Sequence, residues 1–560
     1  LLHKFLSLLN NIRLARRTGL PYTLSPIHEL EVWAYITNGF LRWACADYLM
    51  RGEGWPRWAR FMVKDWMYED KGRAHQEFGE TFLVVASGGI LCYVASVTSA
   101  MNIVTQRRAF LKPAEKMKML EPFGPNVVSV EGDTWRKHIR ITVPPFGEAV
   151  NKLVWEETFR QANLLASSWA FSGSGDLKRD IYSLTVNVMS CVGFGKPTEW
   201  TDDMNATPTG HSITLVSAIM GVVTNLAPLL LLPKWVLKYS SLSHVYEAYV
   251  EFEKYMNEYL NEEKRKLAMN DNYESNVKGN LLTAVLKSST SGMMEKNPGK
   301  PSAKLSFTDD EVRGNMFMFL LAGYDTTANT LLFSSIVLAL HQNIQNEMIQ
   351  EVDRVYKEAL KEGRTELSFA EDLPKFRYIL AFMYEVMRVF PIVIPIARMA
   401  YDSQHLTVES SAGGVTTHIL PPQTGCIVNN TGLHYNTKYW HEPHLIEPRR
   451  WLTSSPNTYD PLHPNLKQES EINAHDTPFT ANHVKGSFMT FNEGPRACLG
   501  RRFAQVEFVA FWATLLKQHR LVLGEGEDRD EMERGIRLRS GGSPVTLIPP
   551  MDVKVRFEPR

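Results

Sequence analysis

The stretch "FNEGPRACLG", from Phe491 to Gly500, places one cysteine in a short segment that has few side chains able to pack in a core. Gly494 and Gly500 can adopt positive φ, which permits a tight bulged loop around Cys498. Arg496 brings a cation near the sulfur, and the next residues, "RRFAQVEFVAFWATLLKQH", predict an amphipathic helix. Cys498 therefore lies just before a helix N-terminus, where free N–H groups and the helix dipole favour a thiolate over a thiol.

A thiolate held in a constrained loop suits one of two roles, a nucleophile or a metal ligand. A nucleophile needs a neighbouring base, and no candidate base lies near Cys498 in the sequence. A single thiolate ligand on a heme iron fits better. The pattern FxxGxRxCxG fixes five positions in ten, so the signal is specific.

The composition excludes some classes of protein. The chain has 560 residues, of which 44% are hydrophobic and 22% charged, as in ordinary globular proteins. Its 61 basic and 61 acidic residues balance, so no basic excess points to a nucleic-acid partner. The five cysteines are far apart and form no CxxC pair, which argues against a disulfide framework or a zinc site and suits a reducing compartment. We expect the four cysteines outside the loop to be small buried apolar residues; they are Cys45, Cys92, Cys191 and Cys426.

We expect one large domain. The most polar stretches, Asn270–Lys278, Ser288–Lys304 and Asn457–Asn482, are each short enough to be surface loops rather than linkers between domains. Because the first residue is Leu1 and not Met, we expect a membrane anchor upstream that is missing or truncated. Residues 1–20 are interpreted as an upstream segment, and residues 21–560 as the domain.

Two segments are long and apolar enough to be considered as membrane spans. In Thr81–Met101, Gly88 and Gly89 separate two β-rich runs, which predicts a hairpin. In Ile213–Leu237, "ITLVSAIMGVVTNLAPLLLLPKWVL", an asparagine and two prolines interrupt the apolar run. A buried helix–loop–helix and a surface segment that dips into a bilayer both remain open for this second segment.

The secondary-structure pattern predicts a mainly α protein with small β-sheets. The chain reads as mostly helical from about residue 109 to 390, including one buried helix over Ser306–Leu340 that begins with a capping box of Thr308 and Glu311. A second helix is predicted over Leu373–Pro391. Short β runs follow over residues 392–428, and Gly535–Pro550 predicts a further hairpin.

Four motifs in the same order resemble those of the cytochrome P450 family. The cysteine loop, with Phe491, Gly494, Arg496, Cys498 and Gly500, resembles its heme-binding loop. "YEVMR" resembles its ExxR pair, "EPRRW" its PERF-type segment, and "AGYDTT" (Ala322–Thr327) its oxygen-activating helix motif. Arg449 stands where the family usually has Glu. The likeness extends from about Asn11 to the C-terminus and implies the single-domain cytochrome P450 fold with heme b, iron protoporphyrin IX, ligated by Cys498.

The resemblance assigns a structural role to three charged residues. Glu385 and Arg388 lie three residues apart and share one helix face, which by itself allows an exposed ion pair of less than about 1 kcal/mol. The family resemblance implies a buried triad with Arg450 that holds the cysteine side of the core together.

The resemblance also places the chemistry on the long helix. Asp325 and Thr326 are similar to the family's acid–alcohol pair, in which Thr326 would hydrogen-bond dioxygen and Asp325 would relay protons from water. Phe319, Ala322 and Gly323 lie seven, four and three residues before Thr326, on the same helix face. We expect these three residues to line an apolar substrate pocket together with Val393 and Ile394.

Cations and donors are expected near the heme propionates. Arg496, Arg398 and Trp135 match family positions for this role. Four residues after Trp135 the family often has Arg or His, but this chain has Ile139. Since "DTWRKHIRI" reads as a helix on which Trp135 and His138 share a face, we predict that His138 supplies the missing donor.

The opposite face of the same helix carries basic residues. Arg136, Lys137 and Arg140 are predicted to point outward and to dock an acidic reductase surface. About 60 residues follow Cys498, too few for a flavin domain, and no GxGxxG fingerprint is present, so the NADPH-dependent reductase is expected to be a separate protein.

The sequence therefore predicts a heme-thiolate monooxygenase that inserts one atom of O2 into a lipophilic small molecule. The resemblance is to microsomal, fungal members of the family, which often tailor terpenoids or polyketides. It implies location at the endoplasmic reticulum membrane with the catalytic domain facing the cytosol, and we expect Leu226–Val236 to contact the membrane surface. The alternatives are a rearranging family member that needs no reductase and a non-catalytic heme sensor or carrier.

Overall fold

The computed structural model describes residues 2–172, 176–197, 207–269, 280–291, 306–409, 414–452, 483–542, 546–550 and 554–560. Two of the predicted surface loops, Asn270–Lys278 and Asn457–Asn482, lie outside these ranges, and so does the third beyond Ser291. The boundary predicted between residues 1–20 and 21–560 stays a prediction.

Helices make up most of the described chain. Their bounds are α1 Leu2–Thr18, α2 Val32–Ala44, α3 Ala46–Met50, α4 Trp66–Asp70, α5 Arg73–Phe78, α6 Val97–Thr105, α7 Ala114–Met117, α8 Gly132–Thr142, α9 Glu148–Ser172, α10 Leu177–Phe194, α11 Leu215–Thr224, α12 Leu226–Leu231, α13 Lys234–Lys238, α14 Ser243–Met269, α15 Leu281–Ser291, α16 Asp309–Leu340, α17 Gln342–Lys361, α18 Phe369–Asp372, α19 Arg377–Val389, α20 Asn430–His434, α21 Arg501–Gln518 and α22 Arg529–Leu538. Short 3-10 turns lie between several of them.

The strands form small sheets. Their bounds are β1 Tyr22–Leu24, β2 Thr81–Ala86, β3 Gly89–Val94, β4 Pro395–Ala400, β5 Gln404–Glu409, β6 Val415–Leu420, β7 Thr424–Asn429, β8 His519–Leu523, β9 Gly541–Gly542, β10 Leu547–Ile548 and β11 Val555–Pro559. The largest sheet has the order β1-β2-β3-β7-β4, and the pairs β5–β6, β8–β11 and β9–β10 are separate two-stranded sheets. The predicted class, mainly α with small β-sheets, is confirmed.

The hairpin predicted at Gly88 and Gly89 joins β2 to β3 in antiparallel register. Gly89 has φ of 147°, a conformation that residues with a side chain rarely adopt. Residues Val97–Thr105, which include the end of the predicted hairpin segment, instead form α6. At the end of β2, Asn11 of α1 donates its amide to the Ala86 carbonyl at 2.9 Å, so α1 packs against the turn between β2 and β3.

The long helix α16 passes through the core, as its apolar sequence predicts. Thr308 and Glu311 form the predicted capping box, with each side chain bonded to the other's backbone N–H. Most side chains of α16 are buried on every face because α10, α15, α19 and α21 pack around it. This central position fixes the residues of the "AGYDTT" segment relative to the cysteine loop.

Three predicted elements differ from the structure in detail. The helix after the cysteine loop, α21, is not amphipathic, because it is buried on all sides from Val506 to Leu516 among α9, α16, α17 and α19. The helix predicted from Leu373 begins with a 3-10 turn, and α19 itself ends one residue before Phe390. Gly535 lies at the end of α22, so the C-terminal hairpin is confined to β9 and β10.

The apolar segment Ile213–Leu237 forms three short helices, α11, α12 and α13. Leu226, Leu229 and Leu237 point into the core, whereas the Trp235 side chain is 69% exposed. Among the described residues, no helix is both long and apolar enough to cross a bilayer.

Candidate functional site

The cysteine loop is a tight turn fixed by its own backbone. The Cys498 N–H donates to the Phe491 carbonyl at 2.8 Å, and Asn492 and Gly494 both adopt left-handed φ, 57° and 71°. A Cβ atom at Gly494 would lie 2.8 Å from the Val104 carbonyl oxygen of α6. Glycine is needed at this position for two reasons. It lets the loop lie against α6, and it adopts the left-handed conformation without strain.

Cys498 lines a cavity and is accessible there, although protein surrounds the sulfur closely. Burial raises the pKa of the thiol, and the Gly500 N–H and the Arg501 guanidinium only partly oppose this effect. The position before a helix N-terminus predicted the opposite, a thiolate, but the desolvation of the charge outweighs the effect of the helix terminus. A metal ion that coordinates the sulfur deprotonates it outright, so ligation itself would supply the thiolate.

The cavity has a volume of about 200 Å³ and lies between α16 and the cysteine loop. Apolar side chains dominate its wall, which is formed by residues of α8, α10, α16 and α21 and by the loop. Phe319, Ala322 and Gly323, predicted as pocket residues, line it together with Thr326. Val393 and Ile394, also predicted, are not among its lining residues, and Ile394 is buried in the core at 3% exposure.

Gly323 serves helix packing as well as the cavity. A Cβ atom at this position would lie 2.7 Å from Met189 Sδ of α10. From the sequence, Gly323 was expected to line the pocket. In the structure it also lets α10 approach α16 closely.

Arg496 and Trp135 form one side of the cavity together. The Arg496 guanidinium lies 4.3 Å from the centre of the Trp135 ring and 2.6 Å from a carboxylate oxygen of Glu131. It also donates to the carbonyls of Val127 and Val130 at 3.0 and 2.9 Å. These contacts tie the cysteine loop to the segment before α8.

A buried cluster of positive charge stands beside this pair. Lys112 lines the cavity, and the antiparallel bridge of its neighbour Leu111 to Met399 brings it close to Arg398. Burial and the charges of Arg496 and Arg398 lower the pKa of Lys112 to about 7. Burial and the charge of Arg496 likewise lower the pKa of Arg398 to about 10.

This cluster fits an anionic cofactor. Arg398 Nη2 and Trp135 Nε1 are buried donors with no hydrogen-bond partner among the described residues. The cluster contains three basic side chains but one carboxylate, that of Glu131. The basic side chains are Lys112, Arg398 and Arg496. Two propionate groups would supply the missing charge and acceptors, so the residues present fit a heme next to Cys498.

His138 does not take the predicted role. Its Nε2 lies 3.2 Å from Glu311 Oε1, and its Nδ1 lies 3.1 Å from the amide nitrogen of Asn315. Both ring nitrogens therefore bind the N-terminal part of α16, and His138 is not among the residues that line the cavity. The structure does not support a propionate bond from His138. Lys112, 23 residues before Trp135, is the cation that the sequence argument missed.

We expect Lys112→Met to weaken heme retention by about tenfold or more, because a charge-assisted hydrogen bond contributes roughly 1.5–3 kcal/mol. The measurement is the rate of heme transfer to excess apomyoglobin. Lys118→Met, at an exposed position of the turn Lys118–Leu120, is the control and should not change the rate. Equal retention in the Lys112 variant and the parent would contradict the assignment.

Thr326 and Asp325 face different surroundings. Thr326 lines the cavity, and its hydroxyl donates to the Ala322 carbonyl at 2.6 Å. Asp325 is buried on another face of α16 and is not a lining residue. The hydroxyl of Thr546, near the C-terminus, donates to Asp325 Oδ2 at 2.7 Å, and the Tyr182 hydroxyl lies 3.3 Å from Oδ1.

Three residues around Asp325 were missed by sequence reasoning, namely Tyr182, Asn329 and Thr546. Asn329 lies one turn after Asp325, and its amide donates to the Asp325 carbonyl at 3.0 Å, so helical spacing could have identified it. Tyr182 and Thr546 come from distant parts of the chain and carry no such signal. Burial raises the pKa of Asp325, and the side-chain hydrogen bonds from Thr546, from Tyr182 and from the Asn329 amide to Oδ1, the last at 3.3 Å, only partly oppose this rise.

The structure brings Glu385, Arg388 and Arg450 together. Glu385 is fully buried and accepts from Arg388 Nη2 at 2.8 Å and from Arg450 Nε at 3.0 Å. The Trp451 indole and the Glu447 N–H donate to the same carboxylate, at 3.0 and 2.8 Å. Arg388 also donates to three backbone carbonyls, so the buried charges are well satisfied.

The fold and this site correspond to a known class of protein. Residues 57–542 match the family model of cytochrome P450, and the chain belongs to this family. The heme domain of cytochrome P450DA superposes with a TM-score of 0.65 over 97% of this chain and 98% of its own, at 17% identity, which supports the fold alone. The resemblance inferred from the four motifs is therefore confirmed.

Similar fungal proteins indicate which reaction within the family this chain carries out. A cytochrome P450 monooxygenase of Penicillium roqueforti is 41% identical over 100% of this chain and 96% of its own length. One of Penicillium rubens is 40% identical with the same coverage, and a monooxygenase of a phomenoic acid biosynthesis cluster in Leptosphaeria maculans is 25% identical over 86% of this chain and 82% of its own. The chain is a cytochrome P450 monooxygenase, and the family implies a heme-thiolate cofactor, a redox partner and a small-molecule substrate.

Proposed function

We propose that this monooxygenase inserts one oxygen atom from O2 into a lipophilic small molecule of the terpenoid or polyketide type, in secondary metabolism. The observation that carries the proposal is the apolar wall that α16 contributes, beside Thr326, to the cavity that would also hold the heme. Phe146, Met318 and Phe319 contribute to its wall and favour an apolar substrate over a charged one. The relative named for a phomenoic acid cluster supports the metabolic setting.

The chain's own residues hold the cofactor and move protons. Cys498 would ligate the iron of heme b, and Lys112, Arg398, Arg496 and Trp135 would hold its propionates. When bound, the heme supplies the activation of dioxygen, which the thiolate ligand favours by donating electron density. Thr326 offers its hydroxyl inside the cavity, and we assign it the delivery of protons to the reacting oxygen.

Asp325, which lies on another face of α16 than Thr326, supplies protons to the Thr326 hydroxyl. Its contacts with Tyr182 and Thr546 hold the carboxyl group in one orientation, so it has to rotate away from them to serve the cavity side. Its raised pKa gives it a larger protonated fraction at neutral pH than an exposed Asp would have. Because the Asp325 carboxyl group has to rotate before it delivers a proton, bulk water need not enter the cavity. Bulk water in the cavity would favour loss of reduced oxygen as peroxide before the substrate reacts.

Thr326→Ala is expected to uncouple the reaction. The variant should bind heme normally and consume NADPH, but most of the reduced oxygen should leave as peroxide because proton delivery is disturbed. The measurement is product formed per NADPH, with peroxide determined in parallel. The control is Thr330→Ala, which removes a similar bond from hydroxyl to carbonyl one turn along α16, outside the lining residues. Equal coupling in the Thr326 variant and the parent would contradict the role.

We propose that the electrons come from a separate NADPH-dependent reductase that docks at α8. Arg136 and Arg140 are exposed there, although Arg136 also pairs with Asp133 at 2.6 Å. Lys137, predicted to face outward with them, instead pairs with Glu311 of α16 and is largely withdrawn from solvent. The docking surface is therefore reduced to the two arginines.

We also propose contact with the cytosolic face of the endoplasmic reticulum membrane. Within the predicted segment Leu226–Val236, Lys234 and Trp235 are exposed, and Tyr239 follows at 80% exposure. Aromatic and basic side chains of this kind suit the boundary between lipid and water. The buried leucines of the segment take no part in this contact, so the proposal rests on its C-terminal half.

A spectral-binding screen with terpenoid and polyketide libraries tests the substrate class, followed by turnover with reductase, NADPH and O2. We expect ligands that change the heme absorption spectrum and are then hydroxylated or epoxidised with NADPH consumption. Conversion of a peroxide without reductase would favour a rearranging enzyme. Heme binding with no oxygen consumption in the presence of any spectral ligand would favour a sensor or carrier.

A further inference from the structure

A second cavity, of about 340 Å³, lies apart from the heme site and shares no lining residue with it. It forms where the end of α3, the junction of α4 and α5, the residue after α20 and the end of α22 meet. Its charged lining residues are Lys71, Arg73, Arg537 and Glu69. Leu49 and Leu538 give it an apolar wall on another side.

Two nitrogen atoms of the basic side chains in this cavity lack an acceptor. Lys71 Nζ and Arg73 Nη1 are both buried, and neither has a hydrogen-bond partner in the described chain. Lys71 Nζ lies 3.0 Å from the centre of the Tyr68 ring and 5.3 Å from that of Tyr435. Cation–π contacts with these two rings are therefore the interactions that stabilise its charge. The other nitrogen of the Arg73 fork, Nη2, donates to the Gly52 carbonyl and fixes the guanidinium in place.

The nearby carboxylates are already committed to other cations. Glu69 binds Arg42 and lies 3.4 Å from the Trp55 indole nitrogen. Glu533 pairs with Arg537 at 3.2 Å and also with His341 at 3.2 Å. Lys71 and Arg73 line the cavity, and among the described residues no carboxylate is ion-paired with either of them. Buried unpaired charge is costly, and a bound anion would remove that cost.

We propose that this cavity binds a phosphate group. Lys71 Nζ and Arg73 Nη1 supply the unpartnered donors, and Arg537, which is paired with Glu533, adds another guanidinium at the wall. A phosphate has enough oxygens to accept from an ammonium and a guanidinium at once, with the geometry that arginine prefers. The cavity is larger than a phosphate ion needs, and its leucines can accept the organic part of a phosphate ester.

A change in the protonation of Lys71 gives a second way to detect phosphate in this cavity. Burial lowers the pKa of Lys71, Glu69 opposes this effect, and the charges of Arg537 and Arg73 add to it. A phosphate beside the amine would favour the ammonium form. At a pH at which the phosphate is already a dianion and releases no proton of its own, binding should therefore be accompanied by proton uptake that is smaller in Lys71→Met.

The test uses the heme-loaded, full chain and inorganic phosphate. Calorimetric titration should show saturable binding and proton uptake in buffers with different heats of ionisation, with potassium chloride of equal ionic strength as the reference. Lys71→Met and Arg73→Met should each weaken binding by about ten- to hundredfold, since each removes a charge-assisted hydrogen bond. The control is Lys517→Met, whose exposed ammonium lies 4.1 Å from the Tyr356 ring centre and should not affect binding.

A second arm identifies the source of the phosphate. Flotation with phosphatidylcholine vesicles is compared with and without phosphatidic acid, in the parent and in the two variants. A dependence on phosphatidic acid that is lost in both variants supports a lipid headgroup, and binding of free phosphate alone supports a soluble ester. Phosphate binding that is unchanged in both variants, or its absence from both arms in the parent, would overturn the proposal. A loss of thermal stability in Lys71→Met that is the same with and without phosphate would show a packing role instead.

Discussion

Cys498→Ser is expected to abolish the red-shifted Soret band of the reduced, carbon monoxide-bound protein and all monooxygenase turnover. The reason is that the thiolate is the electron-donating ligand and a serine hydroxyl is a much weaker one. Serine has nearly the size of cysteine, and the loop is held by backbone bonds, such as that from the Cys498 N–H to the Phe491 carbonyl at 2.8 Å. The loop should therefore keep its shape, and the spectral change would report ligation rather than misfolding.

Cys92→Ser serves as the matched control for this experiment. Cys92 is buried in β3, and burial raises the pKa of its thiol to about 12, so it stays a neutral packing residue. The control should keep the red-shifted band, with at most a moderate loss of stability. A red-shifted band that survives in Cys498→Ser would show that the ligand is a different residue.

Glu385→Ala is expected to destabilise the protein by about 3–5 kcal/mol, because it leaves two buried arginines without a counter-charge. The Glu385 carboxylate is the common acceptor of Arg388, Arg450 and the Trp451 indole. The measurement is the denaturant midpoint, together with the heme content of purified protein, which should fall with it.

The matched control is Arg449→Ala. Arg449 is paired with Glu347 at 2.9 Å, but both side chains are partly exposed, at 23% and 28%. We expect a loss of about 1 kcal/mol or less for this partly exposed pair. If Glu385→Ala were as stable as the control variant, the triad would not be the structural element that we describe.

The same carboxylate gives the protein a sensitivity to acid. Burial alone would raise the pKa of Glu385, but the charges of Arg388 and Arg450 lower it to about 2. A depressed pKa stabilises the folded state above the unfolded value of about 4.3, and this contribution is lost as the pH falls from there towards 2. In Glu385→Gln the free energy of unfolding should change less than in the parent as the pH falls from about 4.3 towards 2.

Local signals explain why much of the fold could be predicted from the sequence. The capping box of Thr308 and Glu311 defines the start of α16 from two residues alone, and Gly88–Gly89 defines a hairpin in the same way. The three-residue spacing of Glu385 and Arg388 puts both on one face of α19, whatever the remaining chain does. Each of these predictions depends on neighbours within a few positions.

Predictions that depended on distant partners were less successful. Helical spacing placed Trp135 and His138 on one side of α8, and both are buried, but Asn315 and Glu311 of α16 occupy the ring nitrogens of His138. The role of Lys112 depends on a bridge between residues 111 and 399, which are far apart in the sequence. The desolvation that raises the pKa of Cys498 is likewise a property of the assembled core.

Labelling with 18O2 tests the central claim, that this chain inserts one atom of molecular oxygen into an apolar substrate. The protein is incubated under 18O2 with reductase, NADPH and a ligand found in the spectral screen, and the product is weighed by mass spectrometry. We predict one 18O atom in each molecule of monooxygenated product, with formation that depends on NADPH and is absent in Cys498→Ser. A product that carries oxygen from water, or that forms equally without NADPH and O2, would contradict the account.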